Sequence, residues 1–388
     1  MLRYLTAGES HGECLIAVLE GMPAGLALAP SFINGELRRR QLGYGRGARM
    51  TSIEADEAQI LSGVRFGKTI GSPIALKVDN KDSSIDRLPV VTRPRPGHAD
   101  LGGALKYNTG DIRNILERAS ARETAARVAV GAVAKRLLQE FGIEVFSHVV
   151  RLGGVDAEVG GAGFERIRSM AELSPLRCAD RRAEERMIRL IDRAKASGDT
   201  VGGTVEVVAL GVPVGLGSHV HYDRKLDGRL AGALMSIQAI KAVEVGAGTR
   251  VSQVFGSQLH DQIYYSKGKG FYRKSFRAGG IEGGISIGGP VIVRVHMKPL
   301  STLRRPLMSV DIKAKKPFQA TVERSDVSAV PAAGVVAEAV MAFELGRAFL
   351  EKFGGDSLGE VRRNFRGYLR QVKQFSRGLT PRGLTPLG

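Results

Sequence analysis

A weak internal repeat is the sequence feature that most constrains how this chain can fold. Four short segments of the first half return in the second half in the same order, at offsets of 190 to 217 residues. The paired segments are residues 21–26 and 211–216, 69–74 and 286–291, 117–120 and 323–326, and 138–142 and 350–354. One match would be unremarkable in a chain with 50 glycines, but four in order indicate two related halves, each a strand, turn, helix, strand and helix.

The longest helix pattern in each half predicts where the halves meet. Residues 120–141 carry apolar side chains at helical spacing behind a Ser120–Glu123 capping box, and residues 334–353 match them. We expect these helices to pack together between two sheets, in an α+β fold. The predicted organisation is one domain, residues 1–370, with pseudo-symmetric halves at about 1–155 and 200–355 and a flexible tail at 371–388. A further helix is predicted over residues 223–243.

The charge balance bounds the possible partners. The chain has 57 Lys and Arg against 39 Asp and Glu, a formal net charge of +18, which favours an acidic partner: nucleic acid, an anionic membrane or a phosphorylated or carboxylated metabolite. Aromatic residues make up only 6% and tryptophan is absent, which disfavours a base-stacking surface. No signal peptide is apparent, and no apolar run approaches the roughly 20 residues of a membrane helix. The sequence therefore predicts a cytoplasmic protein with no nucleic-acid or membrane partner.

A stiff basic loop at residues 93–100, RPRPGHAD, is the first candidate site. Two prolines fix the backbone, and Gly97 lets it bend next to His98. Arg93 and Arg95 precede the histidine and Asp100 follows it. A rigid loop that holds an acid–base group beside cations suits a polyanionic substrate. The alternative is a surface turn with solvated arginines.

A second basic loop follows a predicted helix that ends in three arginines, residues 38–40. Residues 43–49, GYGRGAR, match a dinucleotide-binding pattern only formally, because that fingerprint needs a strand before it and a helix after it. The loop is either a basic flap over an anionic ligand or an ordinary solvated loop.

Two of the seven histidines stand out as candidate acid–base groups. His11 and His98 each lie in a glycine-bounded turn, where a ligand can reach a titratable ring. His219 and His221 have no Cys, Asp or Glu at ligand spacing, so no metal site is predicted. The sequence lacks GxSxG and GxxxxGK[ST], which argues against acyl transfer and P-loop phosphotransfer. Acid–base chemistry on an anionic small molecule remains.

These motifs together resemble the chorismate synthase family. They run in the family's order from residue 5 to about 355. The matching stretches are GESHG at 8–12, RRR at 38–40, GYGRG at 43–47, RPRPGHAD at 93–100, RASARETA at 118–125, MKP at 297–299, PLMSVD at 306–311, ERSD at 323–326 and AVPAA at 329–333. The resemblance implies a β-α-β sandwich with antiparallel sheets and a homotetramer, which agrees with two duplicated halves.

The resemblance also implies a reaction and a cofactor. The family converts 5-enolpyruvylshikimate 3-phosphate to chorismate, in the shikimate pathway of aromatic amino acid biosynthesis. Phosphate and a ring hydrogen leave in an anti-1,4 relation without net redox change, yet reduced FMN is required, and NADPH is a possible reductant. The substrate carries a phosphate and two carboxylates, and FMN adds a phosphate, which suits an arginine-rich site. The alternative is a flavin-dependent oxidoreductase acting on a phosphorylated acid.

Matching positions carry implied roles. His11 would assist phosphate departure, His98 would protonate or polarise the reduced flavin, and Asp326 would help the flavin take the ring proton. The implied substrate-binding residues are Arg40, Arg46 and Arg122. The implied flavin contacts are Arg118, Ala119, Ser120, Gln238, Ala239, Gly288, Lys298, Pro299, Leu300, Ser301, Thr302 and Arg324. The family commonly has serine where Ala119 stands, so a hydroxyl contact is lost there.

Overall fold

A computed structural model describes residues 1–47, 56–323 and 326–376 of the chain. Its helices are α1 (Pro30–Gln41), α2 (Asp100–Tyr107), α3 (Arg113–Ala119), α4 (Thr124–Gln139), α5 (Phe164–Leu173), α6 (Arg181–Ser197), α7 (Leu226–Met235), α8 (Gly256–Leu259), α9 (Val330–Phe353) and α10 (Leu358–Ser376). Its strands are β1 (Arg3–Ala7), β2 (Cys14–Glu20), β3 (Ala58–Ile60), β4 (Val64–Arg65), β5 (Lys68–Thr69), β6 (Ile74–Asp79), β7 (Glu144–Leu152), β8 (Val155–Asp156), β9 (Gly203–Leu210), β10 (Val214–Gly217), β11 (Ile240–Val245), β12 (Ile263–Ser266), β13 (Gly270–Arg273), β14 (Ile281–Glu282), β15 (Ile285–Ile287), β16 (Val291–Met297), β17 (Met308–Asp311) and β18 (Lys316–Gln319). Among the described helices, none combines the length and apolar character that a membrane span needs.

Two antiparallel sheets share one strand order. The first sheet runs β1-β2-β6-β3, and the second runs β7-β9-β16-β11, with β8 beside β7 at its edge. Neighbouring strands are antiparallel throughout both sheets. In the first sheet the last strand in chain order, β6, lies between β2 and β3. In the second sheet the last strand, β16, likewise lies between β9 and β11. The internal repeat is a repeat of topology, and the predicted α+β fold of two related halves is confirmed.

The repeat extends to single hydrogen bonds in the turn after the second strand. Thr69 Oγ1 donates to the Pro23 carbonyl at 2.6 Å and accepts from the Leu26 amide at 2.9 Å. In the second half, Ser286 Oγ donates to the Pro213 carbonyl at 2.6 Å and accepts from the Leu216 amide at 2.8 Å. A buried hydroxyl thus satisfies the same two backbone groups in each half.

Helices α4 and α9 form the layer between the sheets. Helix α4 packs on β2 and β6, while α9 packs on β7 and β9. Both helices are buried over most of their surface, as helices between two sheets must be. They pack tightly at Gly131, where an added Cβ would lie 2.3 Å from the Ala339 Cβ and 2.6 Å from its carbonyl oxygen. The absence of a side chain at Gly131 therefore allows this close contact between the two helices.

Gly131→Ala should lower the free energy of unfolding by about 1–3 kcal/mol, because the new methyl group forces α4 and α9 apart in a packed core. Urea unfolding followed by circular dichroism would measure the change. Gly35→Ala in α1 is the matched control, since nothing lies within 4 Å of a Cβ added there. It should stabilise the helix by roughly 0.5–1 kcal/mol. Equal midpoints for Gly131→Ala and the native chain would contradict the tight contact.

Two predictions for local structure were wrong in part. The helix predicted over 223–243 ends at Met235, because β11 pairs with β16 and draws residues 240–245 into the second sheet. The predicted capping box is also incomplete. Ser120 Oγ accepts from the Arg122 amide at 3.2 Å and starts a 3-10 turn, while the Glu123 carboxylate turns to Arg127 at 2.9 Å.

The predicted boundaries of the halves and of the tail also need correction. Strand β7, residues 144–152, was assigned to the first half but lies in the second sheet, so the second half begins there and not near residue 200. Helix α10 continues to Ser376, past residue 371 where the tail was predicted to begin. Residues 377–388 lie outside the described part of the chain, and their flexibility stays a prediction.

Candidate active site

A cavity of about 780 Å³ opens between the two halves and gathers most of the predicted site residues. The predicted residues that line it are His11, Arg40, Arg46, His98, Ala119, Ser120, Arg122, Gln238, Ala239, Lys298, Leu300, Ser301, Thr302 and Asp326. They come from chain segments up to about 300 residues apart, and both halves contribute to the lining. The volume lies in the upper part of the range for small-molecule and cofactor sites, roughly 300–1,000 Å³.

Two buried arginines share one carboxylate at one end of the cavity. Arg40 Nη1 lies 3.1 Å from Asp56 Oδ2, and Arg122 donates to the other oxygen of the same carboxylate. Arg40 also donates to Thr124 Oγ1 at 2.9 Å. Burial lowers the pKa of Arg40 to about 10, against the opposing effect of Asp56, so the guanidinium stays charged at neutral pH. Two guanidinium groups against one carboxylate leave a net positive charge that suits an anion.

Arg46 closes the same region from the basic loop that follows α1. Its Nη1 lies 2.5 Å from Asp326 Oδ2, and the Gly47 amide donates to Asp326 Oδ1 at 2.6 Å. Arg46 Nε is buried and has no hydrogen-bond partner among the described residues. The loop thus bridges to the second half, and its arginine retains an unused donor for a ligand.

His11 sits in the turn after β1 and contacts a buried glutamate. Its Nδ1 lies 3.0 and 2.9 Å from the two carboxylate oxygens of Glu117, and its backbone amide donates to the same group at 2.9 Å. Burial would raise the pKa of Glu117, but hydrogen bonds and charge from His11 bring it below its usual value. Asn80 joins this turn to the arginines: it donates to the Gly12 carbonyl at 2.8 Å and accepts from Arg122 at 2.8 Å. His11 is therefore held at the arginine end of the cavity.

His98 has a similar partner inside the stiff loop. Its Nδ1 contacts Asp100 Oδ1, and Asp100 accepts from the Arg95 amide at 3.0 Å and from Arg95 Nε at 2.8 Å. Burial would raise the pKa of Asp100, but hydrogen bonds from His98 and Arg95 hold it well below its usual range. The predicted cluster of histidine, arginine and aspartate is therefore a closed hydrogen-bonded unit and not a set of solvated side chains.

The loop after β16 supports the His98 loop from the second half. Ser301 Oγ donates to the Gly97 carbonyl at 2.8 Å, and Arg95 Nη1 donates to Thr302 Oγ1 at 3.0 Å. Lys298 Nζ donates to Ser301 Oγ at 2.8 Å. Burial, with the nearby charges of Lys241 and Arg95, lowers the pKa of Lys298. Ser301 and Thr302 thus hold the loop that carries His98, and both also line the cavity.

Gln238 and Ala239 reach the cavity because α7 ends early. Ala239 adopts a left-handed backbone with φ of 68°, and its carbonyl accepts from the Lys298 amide at 3.0 Å. Gln238 Nε2 donates to Glu123 at 3.1 Å, whereas its buried Oε1 has no partner among the residues described. A buried carbonyl oxygen without a partner is costly, which suits a site where a ligand supplies the donor.

Three predicted flavin contacts in the described part of the chain are not among the lining residues. Arg118 turns away and donates to the carbonyls of Thr6 and Gly8 at 2.8 and 3.0 Å. Pro299 does not line the cavity, although its neighbours on both sides do. Gly288 lies before β16, so the whole strand, on the order of 20 Å long, separates it from Lys298. Arg324 lies outside the described residues.

The structure adds residues that sequence reasoning missed. Asp56 and Glu117 carried no signal in the sequence, because their partners are distant in the chain. Arg95 stood in the RPRPGHAD motif beside His98 and could have been included on that ground. Lys195 and Arg304 also line the cavity, from α6 and from the loop after β16. Lys195 and Arg304 lie in segments that the sequence left without a ligand role.

The site can hold an anion and move a proton beside it. Two histidines with ionised partners face a cavity that is also lined by several guanidinium groups. Cations enclosed in a cavity distinguish this surface from the exposed basic face of a nucleic-acid binder. Fold and site together define an acid–base enzyme for an anionic small molecule.

Comparison with known proteins gives the family. A family model described as chorismate synthase matches residues 2–350. The chain belongs to the chorismate synthase family, whose members are lyases. It is 60% identical over 394 residues to the chorismate synthase of Geobacter sulfurreducens, with 97% of this chain and 100% of that protein covered. It is 57% identical over 387 residues to that of Desulforamulus reducens, with 96% and 100% covered. A solved chorismate synthase structure, 48% identical, superposes with a TM-score of 0.80 over 96% of this chain and 99% of that one.

Proposed function

We propose that this chain converts 5-enolpyruvylshikimate 3-phosphate to chorismate by anti-1,4-elimination of phosphate and a ring hydrogen, with reduced FMN and without net redox change. The reaction belongs to the shikimate pathway of aromatic amino acid biosynthesis. The observation that supports this most directly is the cavity that contains His11, His98 and the arginines Arg40, Arg46 and Arg122. Family membership is the basis for proposing this reaction, and the cavity contains cationic and acid–base side chains that such a reaction needs.

The arginines are proposed to bind the substrate's phosphate and carboxylates. Arg40 and Arg122 present net positive charge around Asp56, and Arg46 has an unused Nε donor. Guanidinium groups suit this role because they donate paired hydrogen bonds to phosphate and carboxylate oxygens. Turning Arg46 to the substrate would break its hydrogen bond to Asp326, the carboxylate proposed to help the flavin take the ring proton.

Other residues of the cavity lining suit FMN. Gln238 offers a buried Oε1 that has no partner among the described residues and that an N–H group of a flavin ring would satisfy. Lys298, Ser301 and Thr302 offer a cation and two hydroxyls for a phosphate or a polar ring edge. Reduced FMN, when bound, would lend electron density to the substrate as phosphate leaves. The chain's own contribution is to hold the two ligands together and to exclude water.

The two histidines are proposed to have separate proton roles. His11, tied through Asn80 to Arg122, would donate a proton to the departing phosphate as the C–O bond breaks. His98, tied through Gly97 and Ser301 to the loop after β16, would hold a proton at the cofactor side. General acid catalysis of this kind needs the donor within hydrogen-bond reach of the leaving oxygen.

An anaerobic assay tests the proposal. Purified protein, chemically reduced FMN and 5-enolpyruvylshikimate 3-phosphate should release inorganic phosphate while the flavin absorbance shows no net oxidation. Stoichiometric flavin oxidation would support the alternative, a flavin-dependent oxidoreductase on a phosphorylated acid. Absence of phosphate release under these conditions would reject the elimination.

We also propose a homotetramer in the cytoplasm, with NADPH as a possible reductant for the flavin. Exposed apolar side chains, such as Leu5 on edge strand β1 and Phe271 on β13, support association of copies. Light scattering would measure the assembly. Anaerobic incubation with NADPH and oxidised FMN would show whether the protein reduces its own cofactor.

A further inference from the structure

A buried carboxylate stands behind each cavity histidine, and the proposed proton roles leave it unused. The side chains of Glu117 and Asp100 are 1% and 0% exposed. Both carboxylates meet the Nδ1 atom of their histidine, His11 and His98 respectively. The two pairs are built differently, since Glu117 is 106 residues from His11, whereas Asp100 is two residues from His98. The same atomic contact thus arises from two unrelated local structures.

An arginine also donates to each carboxylate. Arg113 Nη1 donates to Glu117 Oε1 at 3.1 Å, and its Nε donates to the Pro89 carbonyl at 2.9 Å. Arg95 donates to Asp100 through Nε at 2.8 Å and through its backbone amide at 3.0 Å. Because each carboxylate is held by several donors, it cannot rotate freely, and the histidine ring that donates to it is fixed as well.

The contact also determines which ring nitrogen carries the proton. Glu117 and Asp100 both have a pKa below the usual value, since hydrogen bonds and nearby charge outweigh the effect of burial. They are therefore ionised at neutral pH and can only accept hydrogen bonds. The His11 Nδ1 atom facing Glu117 must therefore donate. Arg95 Nη2 also lies 3.1 Å from His98 Nδ1, but it donates to Asp100 Oδ1 at 3.1 Å as well, so Nδ1 is left to donate to the closer Asp100 oxygen. In the neutral ring, Nε2 then carries the lone pair.

We propose that Glu117 and Asp100 are positioning residues that hold His11 and His98 in the Nδ1–H tautomer, so that Nε2 is the atom that exchanges protons with bound ligands. The proposal rests on the acid–base roles given to the two histidines above. In the protonated ring, the carboxylate stabilises the positive charge. After Nε2–H has passed its proton to a phosphate oxygen, the ring returns to the neutral Nδ1–H form. For His11, Asp82 Oδ2 lies 4.0 Å from Nε2, on the side opposite Glu117.

Glu117→Gln and Asp100→Asn should move the proton of the neutral histidine ring from Nδ1 to Nε2, with little change in side-chain volume. Arg113 Nη1 donates to Glu117 Oε1, and the His11 backbone amide donates to Oε2. The charged guanidinium is the stronger donor, so the glutamine oxygen should face Arg113 and the amide NH₂ group should lie at the Oε2 position, beside His11 Nδ1. Arg95 donates to Asp100 Oδ2 through Nε and its backbone amide and to Oδ1 through Nη2, so two donors against one favour the asparagine oxygen at the Oδ2 position and its NH₂ group beside His98 Nδ1. An NH₂ donor at Nδ1 forces that nitrogen to accept, and the proton of the neutral ring moves to Nε2.

Nitrogen-15 NMR of histidine-labelled protein, at a pH where the rings are neutral, reads the tautomer without any turnover. Native His11 and His98 should each show a pyrrole-like Nδ1 and a pyridine-like Nε2. Glu117→Gln should invert the pattern of His11 alone, and Asp100→Asn that of His98 alone. Glu344→Gln is the matched control, because Glu344 is a buried glutamate that pairs with Arg229 at 3.4 Å and does not line the cavity. It should leave both patterns unchanged.

Kinetics separate this inference from the proposed function. Each inverted variant should lose turnover by on the order of 10²–10⁴ while KM changes little, because binding groups stay in place. A pyridine-like Nδ1 in the native protein, or an unchanged pattern in both variants, would overturn the positioning role. An inverted pattern with native turnover would keep the positioning role and remove that histidine from the proposed mechanism. If a variant fails to fold, the native spectrum alone decides the tautomer.

Discussion

Replacing His11 or His98 by alanine should lower turnover by on the order of 10²–10⁴ while the protein stays folded, because each loses a positioned proton donor. Both rings line the cavity and both are fixed by a buried carboxylate, so their loss removes chemistry without opening the core. The anaerobic phosphate-release assay gives turnover, and circular dichroism gives the folded fraction.

The two variants should differ in which ligand they affect. His11 lies at the arginine end, so His11→Ala should leave binding of reduced FMN close to native. His98 lies at the loop after β16, so His98→Ala should also alter the spectrum or affinity of the bound flavin. His221→Ala is the control, since His221 is exposed, contacts Asp223 and the Tyr222 ring, and does not line the cavity. Native turnover in either cavity variant would remove that histidine from the reaction.

Glu338→Ala should cause a large loss of stability. Its carboxylate is fully buried within α9 and accepts from Arg39 at 2.8 Å, Arg177 at 2.9 Å and Ser147 at 2.7 Å, and it contacts Lys135. Burial would raise the pKa of Glu338, yet the charges of Arg39, Lys135 and Arg177 hold it well below its usual range. Removing the carboxylate leaves three cations around a small cavity with less compensating charge.

The expected loss is about 3–5 kcal/mol, the usual cost of breaking a buried ion pair by deleting one partner. Urea and thermal unfolding would show it as a lower midpoint, with soluble expression as a first indication. Glu185→Ala is the matched control, because Glu185 is an exposed residue that lies 4.0 Å from Arg181 on the surface of α6. It should change stability by less than about 0.5 kcal/mol. A native midpoint for Glu338→Ala would show that the cluster contributes specificity and not stability.

Arg39, a member of the cluster around Glu338, shows that a run of arginines in the sequence does not identify which of them binds a ligand. The sequence presented residues 38–40 as one basic run before a basic loop. In the structure Arg40 turns to Asp56 and the cavity, whereas Arg39 turns to Glu338 and the core. Successive residues on a helix face different directions, so neighbouring arginines take part in separate networks. The spacing alone could not say which arginine serves the ligand.

Helix α7 shows the limit of local patterns for secondary structure. Apolar spacing predicted a helix to residue 243, but pairing with β16 converts residues 240–245 to a strand and places Gln238 and Ala239 in the turn. The gain from completing the second sheet exceeds the local preference for helix. The resemblance implies that both residues contact the flavin. They line the cavity because β11 joins the second sheet, which ends α7 before residue 238.

By itself, the sequence determined the duplicated halves, the two turn histidines and the basic loops, because each depends on residues close together in the chain. The tertiary structure alone decided the strand orders, the tight contact at Gly131, and the carboxylate partners Glu117 and Asp56. These depend on residues that meet only when two sheets close on a helical layer, and that packing fixes geometry which local spacing does not contain. The internal repeat predicted two related halves, and their packing brings residues of both halves together around one cavity.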